Sequence, residues 1–215
     1  MAVTVIEAPT LGEAWLAVSR AVLEQGVAAT WGGLETREIA ALTIEIAQPD
    51  TDDPVIGELG DPAWLRWMHA NFFVRKDVAE LGDARSYACR LFDYGGAGRD
   101  QLAWVVDRLR ADPTCRDATI TTLEPLTDTS YIPCVSLLDF WINHGALQLA
   151  VYAHGIDFGT KGNANLIELA YIHHRVAIQL GLPVGALTFL IKSAHIYDTE
   201  LDAMRTITAA PQLKH

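Results

Sequence analysis

Tyr131-Ile132-Pro133-Cys134-Val135-Ser136-Leu137-Leu138-Asp139-Phe140-Trp141-Ile142-Asn143-His144-Gly145-Ala146-Leu147-Gln148-Leu149-Ala150-Val151-Tyr152-Ala153 holds two β-rich runs around a turn. The pattern predicts a strand over 134–142, a turn at Asn143-His144-Gly145 and a returning strand over 146–153, together a hairpin. Cys134 opens the first strand directly after a proline, where a thiol would stand at a cleft edge. A polar, glycine-punctuated link over 155–163 leads to a helix starting near Asn165. Leu166, Leu169, Ala170, His173, Val176, Ala177 and Leu180 fall on adjoining rows of one helical face, and Gly181-Leu182-Pro183 stops it. A last strand over 186–197 ends in Ser193-Ala194-His195-Ile196-Tyr197.

Upstream, 9–25 reads as an amphipathic helix with Thr10 as N-cap and Gly26 as its end. Gly32 to Arg37 reads as a loop before a strand over 39–47, with Leu42, Ile44 and Ile46 on one face. The acid- and proline-rich stretch 49–62 suits an exposed connection. Asp61 and Pro62 then start a helix carrying Trp64, Leu65, Met68 and Phe72. A helix over 99–111 buries Leu102, Val105, Val106 and Leu109 before Asp112-Pro113, and an alternating strand follows over 118–123. Leu201, Met204 and Ile207 mark a short final helix.

With 215 residues, 50% of them hydrophobic, and a mean hydropathy of +0.16, the chain suits one domain over 1–215 with a large core. No uncharged apolar run of ~18 residues and no signal-peptide pattern is visible, so no membrane partner and a cytoplasmic location are expected. Three cysteines without Cys-x-x-Cys or Cys/His ligand spacing argue against a disulfide framework and a structural zinc, and leave at least one free thiol. A formal net charge of −11 and a pI near 4.9 disfavour nucleic acid as a partner. An anionic ligand would need a few local arginines.

The order of these parts, together with Pro133-Cys134, Asp157 and Asn165 eight residues apart, and His195-x-Tyr197 at the end of the last strand, resembles the thymidylate synthase family, which includes the pyrimidine nucleotide hydroxymethylases. The resemblance implies an α/β fold of the α+β type, a mixed sheet with flanking helices that forms a homodimer through a sheet face. It implies Cys134 as nucleophile, Asn165 against the pyrimidine edge, His195 and Tyr197 at the ribose, and Asp157 at the pterin of methylenetetrahydrofolate. Arg37 falls where the family places a phosphate arginine, and Tyr87 where a tyrosine borders the cleft. Arg116 falls where an arginine is donated across the dimer to the partner's phosphate site.

The residue chemistry agrees with those roles while leaving plainer ones open. Carbon 5 of a pyrimidine becomes nucleophilic once a thiolate adds to carbon 6. A thiolate needs a nearby cation, for which Arg116 is the candidate; a strand cysteine can equally be inert packing, as Cys89 reads. Asn165 offers the donor and acceptor that a uracil edge requires, and also suits a helix N-cap. Several positions depart from the family pattern. His154 and Asp117 stand where phosphate arginines are usual, Asp139 where a glutamine is usual, and Trp64 where a glutamate organises proton transfers, with Glu58 the nearest upstream acid. The general acid/base is therefore unassigned.

The expected function is transfer of a methyl or hydroxymethyl unit from methylenetetrahydrofolate to carbon 5 of a pyrimidine nucleotide, nucleoside or related ring. Two alternatives stay open: the same fold repurposed in specialised metabolism for a different reaction, with or without folate, and a non-catalytic ligand-binding subunit. No metal site is expected.

Overall fold

The hairpin forms around a two-residue turn. His144 and Gly145 have φ of 50° and 77°, and Asn143 pairs with Ala146 across them. Positive φ at both central residues matches the right-handed twist of the flanking strands, which is why a His-Gly pair can close this turn tightly. The structure, a computed structural model, describes residues 3–82, 84–129 and 131–209. The domain expected over 1–215 extends past these at both ends.

The elements in chain order are β1 (Thr4–Ala8), α1 (Leu11–Gln25), β2 (Val27–Trp31), β3 (Leu34–Ile46), α2 (Pro54–Leu59), α3 (Pro62–Phe73), β4 (Asp77–Val78), β5 (Ala84–Arg85), α4 (Tyr87–Phe92), α5 (Gln101–Ala111), β6 (Thr119–Thr121), β7 (Val135–Asn143), β8 (Ala146–Ala153), β9 (Ile156–Asp157), α6 (Gly162–Leu180), β10 (Val184–Tyr197) and α7 (Leu201–Ala209). The main sheet runs β1-β3-β10-β8-β7-β6, with β2 added beside β3 and β9 beside β10. β1 lies parallel to β3, and β8 and β9 lie parallel to β10, whereas the β3–β10, β7–β8 and β6–β7 pairs are antiparallel. This is the mixed sheet with flanking helices that the sequence led us to expect.

Capping follows the local chemistry. Thr10 accepts the Glu13 N–H at the start of α1, and Asp61 accepts the Ala63 N–H ahead of Pro62 in α3. Three expectations need correction. The stretch 34–38 is strand, because it zips with β2 into a hairpin around Gly32-Gly33. The acid-rich connection contains α2: buried Asp53 accepts the N–H groups of Val55, Ile56 and Gly12, so an acid there acts as a buried cap that ties α2 to α1. The long helix begins at Gly162 rather than near Asn165.

One face of the sheet is covered by helices and carries the core: Leu42, Ile44, Ile46, Leu187, Phe189, Ile191, Leu147, Leu149, Val151, Leu138 and Phe140 are all buried. The alternation that buries them changes parity along one line across four neighbouring strands. On β3 the buried row Leu42, Ile44, Ile46 gives way to Ile39, next to Ala41 at φ 55°. On β10 Leu187, Phe189, Ile191 gives way to Ala194 and Ile196. The row Val151, Ala153 passes to Ile156 between β8 and β9, and the β7–β8 register shifts between Val135 and Leu137. Since side chains alternate with period two, one extra residue per strand turns the following residues to the other face. Across this shift Val135 is fully buried, while Leu137 and Trp141, which simple alternation would put on its face, are half-buried.

Candidate active site

Cys134 lies immediately beyond that line. Its carbonyl accepts the N–H of His154 at 3.0 Å, which fixes the start of β7 against the end of β8. Its thiol lies 3.6 Å from the Tyr131 hydroxyl. Burial raises the thiol pKa, opposed by the Tyr131 hydrogen bond and by the charge of Lys161, while the charge of Asp157 raises it further. Tyr87 stands behind the strand, its hydroxyl oxygen accepting the Val135 N–H at 3.0 Å and its ring stacked on Phe72 at 4.4 Å. The phenols of Tyr87, Tyr131 and Tyr197 all have raised pKa values, chiefly through burial, so each is a neutral O–H at pH 7.

β9 and the turn after it bring in the next group. Asp157 pairs with His195 in the β9–β10 register, so the two share a pleat, and the Phe158 N–H donates to the His195 carbonyl at 2.7 Å. The His195 and Tyr197 rings meet edge to face at 5.3 Å. Asp157 is buried. Its carboxylate accepts the Gly159 N–H at 2.9 Å and the Thr160 hydroxyl. Asn165 is buried in the first turn of α6, its amide donating to the Lys161 carbonyl at 3.0 Å. It is not the N-cap, a position held by Lys161. Cys134, Tyr131, Tyr87, Asp157, Tyr197 and Lys161 thus act on one another's charge, with His195 beside Asp157 and Tyr197, and Asn165 bonded to Lys161.

The remaining expected residues lie elsewhere in the chain. Arg116 is exposed and lines a shallow depression of about 270 Å³ with Asp139 and Trp141. Asp139 accepts the Thr119 hydroxyl there, five strand residues from Cys134, or about 16 Å along β7. Within one chain Arg116 therefore lies too far along the strand to be the cation beside the thiol. Arg37 pairs with Ile196, which places it on the pleat opposite His195 and Tyr197. His154 is half-buried, its Nδ1 3.3 Å from the Ser136 hydroxyl, and its pKa is lowered by burial and by the Lys192 charge. Asp117, which stands where a phosphate arginine is usual, is paired with Arg108 at 2.8 Å. Glu58 is exposed on α2, and Trp64 on α3 lies with its ring centroid 5.2 Å from the Lys161 ammonium.

Sequence reasoning missed Lys161, Tyr131 and Arg90. Lys161 is the only basic side chain in the link 155–163, a signal that was present and unused. Arg90 is buried and forms a two-pronged ion pair with Asp128 at 2.7 and 2.9 Å, while also donating to the carbonyls of Thr122 and Arg85. Asp128 in turn accepts the Glu124 N–H, so this arginine holds the loop that leads to Tyr131 and Cys134.

A half-buried cysteine just ahead of a strand, its thiol beside the Tyr131 hydroxyl, with the Asp157–His195 pair and Tyr197 on the neighbouring strands of a kinked mixed sheet, defines a thymidylate synthase-like protein. The chain belongs to that family: the family model described as "Thymidylate synthase" matches residues 29–214. It is 30% identical over 212 residues to a "Putative thymidylate synthase" of Methanosarcina acetivorans, covering 94% of each chain. It is 29% identical to the protein of the same description from Methanosarcina barkeri, again over 94% of each. Against the thymidylate synthase of Varicella-zoster virus (strain Dumas) it is 26% identical over 86% of this chain and 62% of the viral one.

Proposed function

We propose that the protein transfers a one-carbon unit to carbon 5 of a pyrimidine ring, with Cys134 as the covalent nucleophile. The observation that supports this reading is the Cys134 thiol 3.6 Å from the Tyr131 hydroxyl, in a chain that belongs to the thymidylate synthase family. The Cys134 sulfur forms a bond to carbon 6, and the electrons of the 5,6 double bond move toward the oxygen on carbon 4. Asn165, with its amide oxygen still able to accept, holds the ring edge. His195 and Tyr197 face a sugar hydroxyl and Tyr131 donates a hydrogen bond to the thiolate; carbon 5, made nucleophilic, would form a bond to the one-carbon unit, give up its proton to solvent, and the sulfur would then leave carbon 6 as thiolate to restore the 5,6 double bond.

Methylenetetrahydrofolate would supply the one-carbon unit. The residues fit it: each Asp157 oxygen is engaged once by its own loop and keeps a lone pair for the N–H groups of a pterin. The test is denaturing mass spectrometry after incubation with 5-fluorodeoxyuridine or its monophosphate plus methylenetetrahydrofolate. An adduct on the Cys134 peptide supports the reading. Adduct formation that persists in Cys134→Ser, or turnover retained by that variant, rejects Cys134 as nucleophile.

A further inference from the structure

We propose that Glu38 is a positioning residue for His195: acting through the Ser193 hydroxyl, it keeps the imidazole proton on Nδ1 and leaves a bare Nε2 to accept from a hydroxyl of the substrate. Only the presence of that hydroxyl rests on the one-carbon reading, whereas the state of the ring stands apart from it. Glu38 is the partner of His195 across the β3–β10 pair, and Ser193 stands two residues before His195 on the same pleat. The Ser193 hydroxyl donates to the Glu38 carboxylate at 2.6 Å, and its oxygen lies 3.4 Å from His195 Nδ1. The Ser193 carbonyl oxygen lies 3.3 Å from the same nitrogen.

A count of protons fixes the tautomer. A carboxylate and a carbonyl only accept, and a serine hydroxyl has one proton to give. With that proton held by Glu38 in a short, charge-assisted bond, the Ser193 hydroxyl oxygen and the Ser193 carbonyl both turn lone pairs toward Nδ1. Nδ1 therefore carries the hydrogen and Nε2 the lone pair. Asp157, the register partner of His195 on β9, bonds instead to the Gly159 N–H and the Thr160 hydroxyl. The His195 ring is partly exposed, and among the described residues its Nε2 has no hydrogen-bond partner. Tyr197, two residues on, meets the ring edge to face at 5.3 Å and is a neutral O–H. A phenol that donates beside an imidazole that accepts selects a group that does both, and a sugar hydroxyl is such a group. An ether, a carbonyl or a phosphate ester oxygen only accepts, and would set its lone pair against that of Nε2.

The ring is tested first without ligand, by long-range proton–nitrogen NMR of the imidazoles in the full chain at about pH 8, above the ordinary histidine range. The His195 signals are assigned by their loss in His195→Gln. Wild type should show a protonated Nδ1 and a bare Nε2. Glu38→Ala frees the Ser193 proton to turn toward Nδ1, so the Nε2–H form, which a free histidine side chain favours in water, should become the major one. If Glu38→Ala melts early, Ser193→Ala breaks the same relay and carries the comparison. An Nε2–H ring in wild type, or an Nδ1–H ring unmoved in a folded variant, overturns the proposal. Calorimetry with deoxyuridine and its dideoxy analogue then measures the hydroxyl. Wild type should prefer the hydroxyl-bearing ligand about 3–10-fold, the worth of one net hydrogen bond, and Glu38→Ala should cut that preference below about twofold. A preference that Glu38→Ala leaves intact also overturns it. If neither nucleoside binds, the pyrimidine reading fails, while the ligand-free spectra still decide the role of Glu38.

Discussion

The hydroxyl oxygen of Tyr87 accepts the backbone N–H of Val135, the residue after Cys134, at 3.0 Å. The bond ties α4 to the first rung of β7, at the point where the sheet changes parity. Tyr87 is buried, so Tyr87→Phe leaves the Val135 N–H without a partner, at a cost of about 1–3 kcal/mol. The expected result in urea denaturation is a lower midpoint with an unchanged slope. A midpoint equal to wild type would show that the Val135 N–H finds another acceptor.

Arg90 and Asp128 are both nearly inaccessible, at 3% and 6% side-chain exposure. Truncating one partner of such a pair strands a buried charge, and Arg90→Met should destabilise by about 3–5 kcal/mol. Because Arg90 also holds Thr122 and, through Asp128, Glu124, hydrogen exchange should rise over 122–129 and in β7 before it rises in β3. Uniform exchange throughout the sheet would indicate that the pair stabilises the whole fold rather than this loop.

Glu168 is 2% exposed on α6, with the partly exposed His69 at 3.2 Å as its polar partner, and burial raises its pKa to about 8. A raised carboxyl favours the neutral form in the folded state. Its contribution is fully present below the ordinary value of 4.5 and is lost as pH rises through about 8. Glu168→Gln should therefore gain on wild type as pH goes from 5 to 9, by on the order of a few kcal/mol. His173, lowered to about 4 by burial, imposes the opposite slope on both proteins between 6.5 and 4 and cancels in the comparison. Parallel stability curves for the two proteins across that range would refute the assignment.

How far the sequence could be read depended on the range of the interaction. Hairpin, helix faces and the Asp61 cap follow from local periodicity and capping, and all are present. The long helix was placed three residues late because Gly162-Asn163 looked like link rather than first turn. α2 escaped notice because Asp53, an acid in an acidic stretch, gives no sign that it will be buried as a cap. The parity change at Ala41, Ser193, Gly155 and Ser136 is a cooperative property of neighbouring strands, invisible in any one of them. Asp157 and His195 share a register pair that spacing alone cannot give, and Lys161 becomes meaningful only once α3 brings Trp64 to it.

The sheet face away from the helices carries Leu190, Tyr152 and Leu137 in one cross-strand row, with Trp141 nearby. Leu190 is 47% exposed. We expect two copies to pair through this face, burying more than ~2,000 Å² in total, as obligate homodimers do. Sedimentation at micromolar concentration should give a dimer, and Leu190→Glu should shift it to monomer. A monomeric wild type would sink this expectation.

Substrate charge is the sharpest question left by the altered residues. His154 is held neutral by burial and by Lys192, and a neutral imidazole cannot reproduce a bidentate guanidinium contact with phosphate. Asp117 is occupied by Arg108, and Arg37 lies on the pleat away from Tyr197. A pyrimidine monophosphate should therefore bind no more than a few-fold better than its nucleoside, as measured by calorimetry on the matched pair. Lys192 is the cation whose charge lowers the His154 pKa, so it defines the counter-test. A hundredfold preference, about 2.7 kcal/mol, that collapses in Lys192→Met would mean that a lysine has rebuilt the anion site from the neighbouring strand. The same preference surviving in Lys192→Met would point to Arg116 supplied by a second copy, and Arg116→Met would then have to remove it.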